Sequence, residues 1–188
     1  MKSAPDPGGG ASRPDARFVR LRGARRVWAI AVIRGEAQRL ARLHDTIGER
    51  LQVGDRAAAR SSVPSTNSST FGAVFLDARA PATPSCSRPS GTPAFTEDRA
   101  LFFVHAAVEP SRPLSEQRDA FWWGREDILE LKEPFAGFNR IVRGVDRDRR
   151  GVVERQFAVS VDGGAGHGGR LIAACFGLDG ALLDIAEA

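Results

Sequence analysis

Three apolar segments that each run into a turn decide the fold of this chain: Leu101-Phe102-Phe103-Val104-His105-Ala106-Ala107, Ile141-Val142-Arg143-Gly144 and Val161-Asp162-Gly163-Gly164-Ala165-Gly166-His167-Gly168-Gly169. The first segment ends in a histidine, the second in Arg-Gly and the third in a glycine-rich loop, where we expect Asp162 to stabilise a turn. Short continuous apolar runs are typical of strands that are buried on both faces. The order of the three segments therefore predicts an α/β core with its chemically distinctive residues at the strand ends.

The same pattern begins earlier in the chain, at residues 27–33, which form another continuous apolar run. After a turn at Gly35, apolar residues recur at steps of three and four, which predicts one face of an amphipathic helix: Ala37, Leu40, Leu43, Ile47 and Leu51. A buried strand, a tight turn and a helix are typical of the first crossover unit of an α/β fold. Further strands are predicted at residues 141–143, 156–161, 170–176 and 181–185.

Length and composition limit the class of protein. A chain of 188 residues with 42% hydrophobic residues suits one domain with a sizeable core. It has neither an apolar run long enough for a membrane span nor a secretory pattern, which predicts a cytoplasmic protein. The chain has two cysteines, Cys86 and Cys175, which is too few for a disulfide framework, and their spacing is not that of a metal site. We therefore expect both to be reduced thiols.

Two segments differ in composition from the rest of the chain. Residues 1–20 are rich in Gly, Pro, Ser and Arg, which predicts a disordered basic tail before a domain at residues 21–188. Residues 57–96 are rich in Ala, Ser, Pro and Thr and contain only one strand-like stretch, residues 71–76. We interpret this second segment either as the product of a deletion or local frameshift, or as a disordered insertion.

The positive charge of the chain suggests nucleic-acid-binding proteins as a further functional class. The net charge is +4, and five arginines cluster near the start: Arg17, Arg20, Arg22, Arg25 and Arg26. A nucleic-acid-binding domain would need aromatic stacking surfaces or a recognisable module beside such a cluster. The sequence offers neither, so nucleic-acid binding is the less favoured alternative.

Residues 27–56 and 100–188 resemble the calcineurin-like metallophosphoesterases, in particular the bacterial serine/threonine phosphatases. The quoted segments resemble the His-turn, the Val-x-Gly-His element and the Leu-Asp-x-Gly segment of that family, and Trp122-Trp123-Gly124-Arg125 resembles its Leu-Trp segment. We expect both tryptophans to lie in the core or in a cleft wall. The segment Ile30-Ala31-Val32-Ile33-Arg34-Gly35 stands in place of its Gly-Asp-x-His-Gly motif, and Val53-Gly54-Asp55 begins its second motif. The resemblance implies a metallophosphoesterase-like β-sandwich flanked by helices, here incomplete.

The resemblance also implies a chemistry. In the family, two divalent metal ions (Mn, Fe or Zn) activate a water, arginines bind the phosphate, and a histidine protonates the leaving group. Carried over to this chain, it implies Asp55 and His105 as metal ligands on one edge of the core. It implies Arg143 and Arg125 as substrate-binding residues, with a phosphoprotein or a small phosphoester as substrate. The residues themselves leave ordinary roles open: a turn aspartate for Asp55, a core histidine for His105, and surface ion pairs for the two arginines.

Departures from the family pattern argue against catalysis. Val32, Arg34, Ala58 and Val145 stand where the family has Asp, His, Asp and His, and its Gly-Asn-His-Glu motif, which supplies the general acid, is missing. An aliphatic side chain cannot bind a metal ion, and a guanidinium is always charged. We therefore expect metal binding that is weak or absent. Arg34 either is merely exposed or places a positive charge where a metal ion would sit, and so attracts a phosphate or a carboxylate.

The sequence leaves three functions open. The first is a phosphatase-like domain without activity, either a pseudophosphatase or a truncated product. The second is a residually active metal-dependent phosphomonoester hydrolase that recruits unusual ligands: Glu36, His44, Asp45 or His167. The third is the basic nucleic-acid-binding protein.

Overall fold

The computed structural model describes residues 18–22, 24–54, 74–78 and 93–188 of the chain. These residues form a mixed α/β fold with two sheets and few helices. The strands are β1 (Val19–Leu21), β2 (Ala24–Ile30), β3 (Val74–Ala78), β4 (Ala94–Thr96), β5 (Leu101–Val104), β6 (Arg140–Arg143), β7 (Gly151–Glu154), β8 (Ala158–Asp162), β9 (Ile172–Gly177) and β10 (Leu182–Glu187). The helices are α1 (Ala37–Gly54), the single-turn α2 (Ala120–Trp123) and two 3-10 helices, Leu114–Glu116 and Ile128–Glu130. None of the helices in these ranges has the length and apolar character that a membrane crossing requires.

The two sheets pack face to face. The larger has the strand order β1-β4-β5-β6-β8-β7, with β5, β6 and β8 parallel to one another. The smaller has the order β10-β9-β2-β3 and is antiparallel throughout. Their inner faces share one hydrophobic core, in which Phe103 of β5 and Phe176 of β9 meet edge to face with ring centroids 6.2 Å apart.

The apolar runs predicted as buried strands are confirmed as interior strands. β2 lies between β9 and β3, and β5 lies between β4 and β6. Side chains alternate along β2: Val27 and Ala29 face the shared core, whereas Trp28 and Ile30 face α1. Because both faces of these strands are covered, their sequences are apolar throughout rather than alternating. The regular strand ends at Ile30 rather than at residue 33, although burial continues to Val32.

Helix α1 confirms the amphipathic pattern at residues 37–51. Leu43 and Ile47 are buried, and Leu40 and Leu51 pack beside them on the outer face of the smaller sheet. Ala37, the first residue of the predicted apolar face, is exposed in the first turn of the helix.

The outer face of the larger sheet is covered differently from what was expected. Instead of long helices, residues 105–138 form an irregular layer with α2 and the two 3-10 helices. Its buried side chains, such as Phe121, Ile128 and Phe138, pack on Phe102 of β5. Phe102 and Phe138 stack with ring centroids 4.7 Å apart. A helical layer therefore covers only one side of the described sheets.

Both low-complexity boundaries need correction. Val19 and Arg20, placed in the predicted tail, belong to β1, which pairs in parallel with β4. Ala94–Thr96, placed in the predicted insertion, forms β4. Strand β3, which pairs with β2, overlaps the strand-like stretch at residues 71–76. β1 and β4 are stabilised by pairing with neighbouring strands, a contribution that local composition does not reveal. Strand β7 was also missed, and the rest of residues 1–17 and 57–92 lies outside the described residues.

Candidate functional site

The ends of strands β2, β5, β6 and β8 meet at one edge of the packed sheets. The N–H of Val32, beyond β2, donates to the carbonyl of Gly144 at 3.3 Å. The N–H of Val145 donates to the carbonyl of His105 at 2.9 Å. The positions that the resemblance assigns to ligands in three separate motifs, Val32, His105 and Val145, are thus neighbours in space.

A tight turn presents Arg34 at this edge. The N–H of Glu36 donates to the carbonyl of Ile33 at 3.0 Å, and φ is +45° at Arg34 and +83° at Gly35. Two successive positive φ values across such a bond define a type I′ turn. A left-handed backbone is unfavourable by about 1–2 kcal/mol for a residue with a Cβ, so the turn holds Arg34 under strain.

The loop at residues 163–169 connects β8 in one sheet to β9 in the other, along the same edge. Asp162 holds its start: the N–H of Gly164 donates to Oδ1 and that of Asp146 to Oδ2, both at 2.9 Å. The guanidinium of Arg39 on α1 holds its end by donating to the carbonyl of Gly169. The turn-stabilising role predicted for Asp162 is confirmed.

Two arginines lie against this loop. A Cβ built on Gly166 would be 2.5 Å from Cβ of Arg34, and one built on Gly164 would be 3.1 Å from Cδ of Arg149. Both glycines have positive φ, and so do both arginines. Only glycine lets the loop approach Arg34 this closely, so the loop and the Arg34 turn fit each other as a pair.

His105 lies partly buried at the end of β5, as predicted. Burial, and after it the positive charge of Arg34, lower the pKa of the His105 imidazole to about 4, against the opposing charge of Asp162. The imidazole is therefore neutral at pH 7. A neutral imidazole is the form that binds metal ions, but the neighbouring guanidinium repels any cation placed there.

The predicted substrate-binding residue Arg143 is buried in an ion-pair network, with 5% of its surface exposed. Its Nη2 lies 3.0 Å from carboxylate oxygens of both Asp127 and Asp146, and its Nε donates to Oγ of Ser160 at 3.1 Å. Arg150 closes the network by donating to Asp146 at 2.7 Å and to Asp127 at 2.8 Å. To bind a phosphate, Arg143 would first have to leave these partners. Its substrate role stays a prediction, as does that of Arg125, which is exposed.

The network also sets the ionisation of its carboxylates. Burial opposes ionisation, yet hydrogen bonds from Arg150 and the charge of Arg143 outweigh it and hold the pKa values of Asp127 and Asp146 below their usual range. Sequence analysis missed both aspartates. The alternating acidic and basic residues at positions 146–150 were the available signal.

The remaining candidate ligands do not gather at His105. Asp55 lies outside the described residues, so its distance from His105 stays untested. Glu36 forms an ion pair with Arg39, while His44 lies on α1, where burial lowers its pKa despite the neighbouring Asp45. His167 is exposed in the loop. Within the described ranges, no three His, Cys, Asp or Glu side chains form a group that could hold a metal ion. The residues described at this edge therefore do not fit a two-metal site.

The tryptophan pair divides between two environments. Trp122 packs on the core of the irregular layer, as expected, whereas Trp123 is 74% exposed and lines no core. The comparisons add no assignment, since no family model, curated protein or solved structure matches the chain.

Proposed function

We propose that this chain is a metallophosphoesterase-like domain without phosphatase activity, which acts by binding rather than by hydrolysis. The resemblance rests on motifs from separate parts of the sequence, and three of their ligand positions lie together at one edge. The observation that carries the proposal is the convergence of Val32, His105 and Val145 at one edge, through backbone hydrogen bonds between the segments.

The side chains at these positions support the loss of catalysis. Two of the three are valines, and valine has no atom that can bind a metal ion. Beside the third, His105, stands the fixed charge of Arg34, which acts on the imidazole. The two-metal mechanism requires both ions to generate the nucleophile and to neutralise the phosphoryl charge. The edge has one neutral imidazole, one guanidinium and the Asp162 carboxylate, whose two oxygens already accept backbone N–H groups, and this set is suited to neither task.

Metal analysis combined with a phosphatase assay tests the proposal. The purified protein is dialysed against Mn, Fe or Zn ions, its bound metal is measured, and hydrolysis of p-nitrophenyl phosphate is followed with added Mn. We expect less than one metal ion per chain and no turnover above background. Stoichiometric binding of two metal ions, with turnover abolished by His105→Ala, would establish the residually active hydrolase instead.

A double variant sharpens the test. Val32→Asp with Arg34→His restores two ligand types at the edge, so we expect measurable metal binding with little turnover, since the general-acid motif is still missing. The control is Leu183→Asp with Arg155→His, which introduces the same two side chains at exposed positions at the opposite end of the strands. Equal metal binding by both double variants would indicate surface binding and would remove the support for a ligand site at Val32.

A further inference from the structure

Two arginines beside the glycine-rich loop at residues 163–169 carry positive charges that pair with no carboxylate of the described residues. Arg34 and Arg149 are exposed, and neither forms an ion pair with a carboxylate among the described residues. The acidic groups nearby are already engaged. Glu36 pairs with Arg39, Glu187 pairs with Arg170, and both oxygens of Asp162 accept backbone N–H groups. Charge of this kind, held at one place on the surface, attracts an anion.

The backbone of the loop adds donors to this charge. Positive φ recurs at every second residue, Gly164, Gly166 and Gly168, whereas Ala165 and His167 between them lie outside that region. The N–H groups of His167 and Gly169 donate to the carbonyl of Gly164 at 2.9 and 3.1 Å, which leaves alternate N–H groups of the loop as donors for an anion. The N–H groups of Gly166 and Gly168 donate to no acceptor among the described residues, and both glycines are exposed.

The aliphatic parts of the two arginine side chains lie against neighbouring residues of the loop. Gly164 and Gly166 are two residues apart, so the side chains that lie against them flank a stretch of backbone about 7 Å long at most. Arg34 and Arg149 both hold left-handed backbone conformations. Strained backbone of this kind is concentrated at functional sites. Asp162 and Arg39 fix the two ends of the loop, so little ordering remains to be done when a ligand binds.

We propose that Arg34, Arg149 and the backbone N–H groups of Gly166 and Gly168 form a metal-independent binding site for the phosphate group of a phosphomonoester. The inference rests on the proposed function, because it names what the non-catalytic edge binds. Guanidinium groups form paired hydrogen bonds with phosphate oxygens, and a dianion matches two uncompensated cations better than a single carboxylate does. The same chemistry fits a phosphorylated side chain of a protein and a small phosphoester.

Isothermal titration calorimetry with EDTA present tests the site. The probes are inorganic phosphate, phosphoserine, a phosphoserine peptide and the same peptide without phosphate, with acetate as the singly charged comparison. We expect phosphate-bearing probes to bind and the unphosphorylated peptide and acetate not to bind. A phosphopeptide that binds more tightly than phosphoserine identifies a phosphoprotein as the source, and equal affinities identify a small phosphoester.

Matched arginine variants locate the binding. We expect Arg34→Gln and Arg149→Gln each to weaken phosphate binding by about tenfold or more. The control is Arg155→Gln, an exposed arginine before the start of β8, at the opposite end of that strand from the loop. Circular dichroism melting checks that the variants fold. Binding that is absent in the wild type, or weakened equally by all three variants, would overturn the site.

The outcome separates this inference from the proposed function. Phosphate binding in EDTA by a protein that also hydrolyses p-nitrophenyl phosphate with Mn would keep the site and reject the loss of catalysis. An inactive protein without phosphate binding would reject the site and leave the proposed function standing.

Discussion

Arg149 and Arg150 are adjacent in the chain, yet they belong to two regions that differ in whether the arginines have carboxylate partners among the described residues. Arg150 joins Arg143, Asp127 and Asp146 in a network where each guanidinium has carboxylate partners. Arg149 instead lies against Gly164 of the exposed loop and, within the described residues, pairs with no carboxylate. We expect the paired arginines to stabilise the fold and the arginines beside the loop to be available to a ligand. Arginine content alone therefore does not identify a binding site, because the partners of each arginine decide its role.

The largest expected effect comes from breaking the paired region. Asp146→Ala removes a carboxylate that is 3% exposed and leaves the buried Arg143 with only Asp127. We expect the free energy of unfolding to fall by about 3 kcal/mol, because a buried charge loses a partner. Urea denaturation measures the change. The control is Asp148→Ala, at a side chain 71% exposed, where we expect about 0.5 kcal/mol or less. Equal effects would mean that the network does not stabilise the fold.

The loop region is tested by two glycines with the same backbone conformation. Gly166 and Gly168 have φ values of +77° and +81°, but only a Cβ on Gly166 would meet Arg34. We expect Gly168→Ala to lower the unfolding free energy by about 1 kcal/mol through backbone strain alone. Gly166→Ala should lower it by a further ~1–2 kcal/mol through overpacking, and should weaken phosphate binding as well. Thermal melts and calorimetry give both quantities, and identical behaviour of the two variants would contradict the packing of Arg34 on the loop.

The contribution of the ion-pair network to stability should depend on pH, because it rests on the ionised carboxylates of Asp127 and Asp146. The folded-state pKa values of Asp127 and Asp146 are below their ordinary values, so their contribution to stability is complete above the unfolded-state pKa of about 4. It is lost as the pH falls through the lower folded-state values. Unfolding free energies measured from neutral pH down to about 3 should fall less steeply in Asp146→Asn than in the wild type. Parallel curves would exclude the network as a source of acid sensitivity.

The smallest expected effect is at His105. Its folded-state pKa of about 4 is below the ordinary 6.5, so the unfolded chain takes up a proton first and stability falls as pH decreases from about 6.5 to about 4. Arg34→Gln should raise this pKa, but only part of the way to 6.5, because burial is the larger cause. NMR titration resolves His105 from His44 and His167. A pKa unchanged in Arg34→Gln would place the guanidinium away from the imidazole.

Sequence reasoning succeeded where structure is local and failed where it depends on distant partners. Strands β2 and β5 and helix α1 follow from runs and spacing within a few residues, and the role of Asp162 follows from the loop beside it. Strand β4 could not be predicted from its three residues, since the pairing with β1 and β5 stabilises it.

The site divides in the same way. The position of His105 at a strand end was predicted from its own segment. The pairing of Arg143 with Asp127 joins the strand to the irregular layer, and the contact of Arg149 with Gly164 joins two separate turns. No periodicity links such residues, so only the fold identifies which arginines are paired and which are not.

We propose that this edge binds a phosphate anion in the place where the family that the chain resembles binds two metal ions. The most direct test is calorimetry of wild-type protein with inorganic phosphate, once in EDTA and once with millimolar Mn. We expect the affinity for phosphate to be the same under both conditions and to be lost in Arg34→Gln. Phosphate binding that appears only with Mn, and that survives Arg34→Gln, would contradict a metal-independent site at this edge.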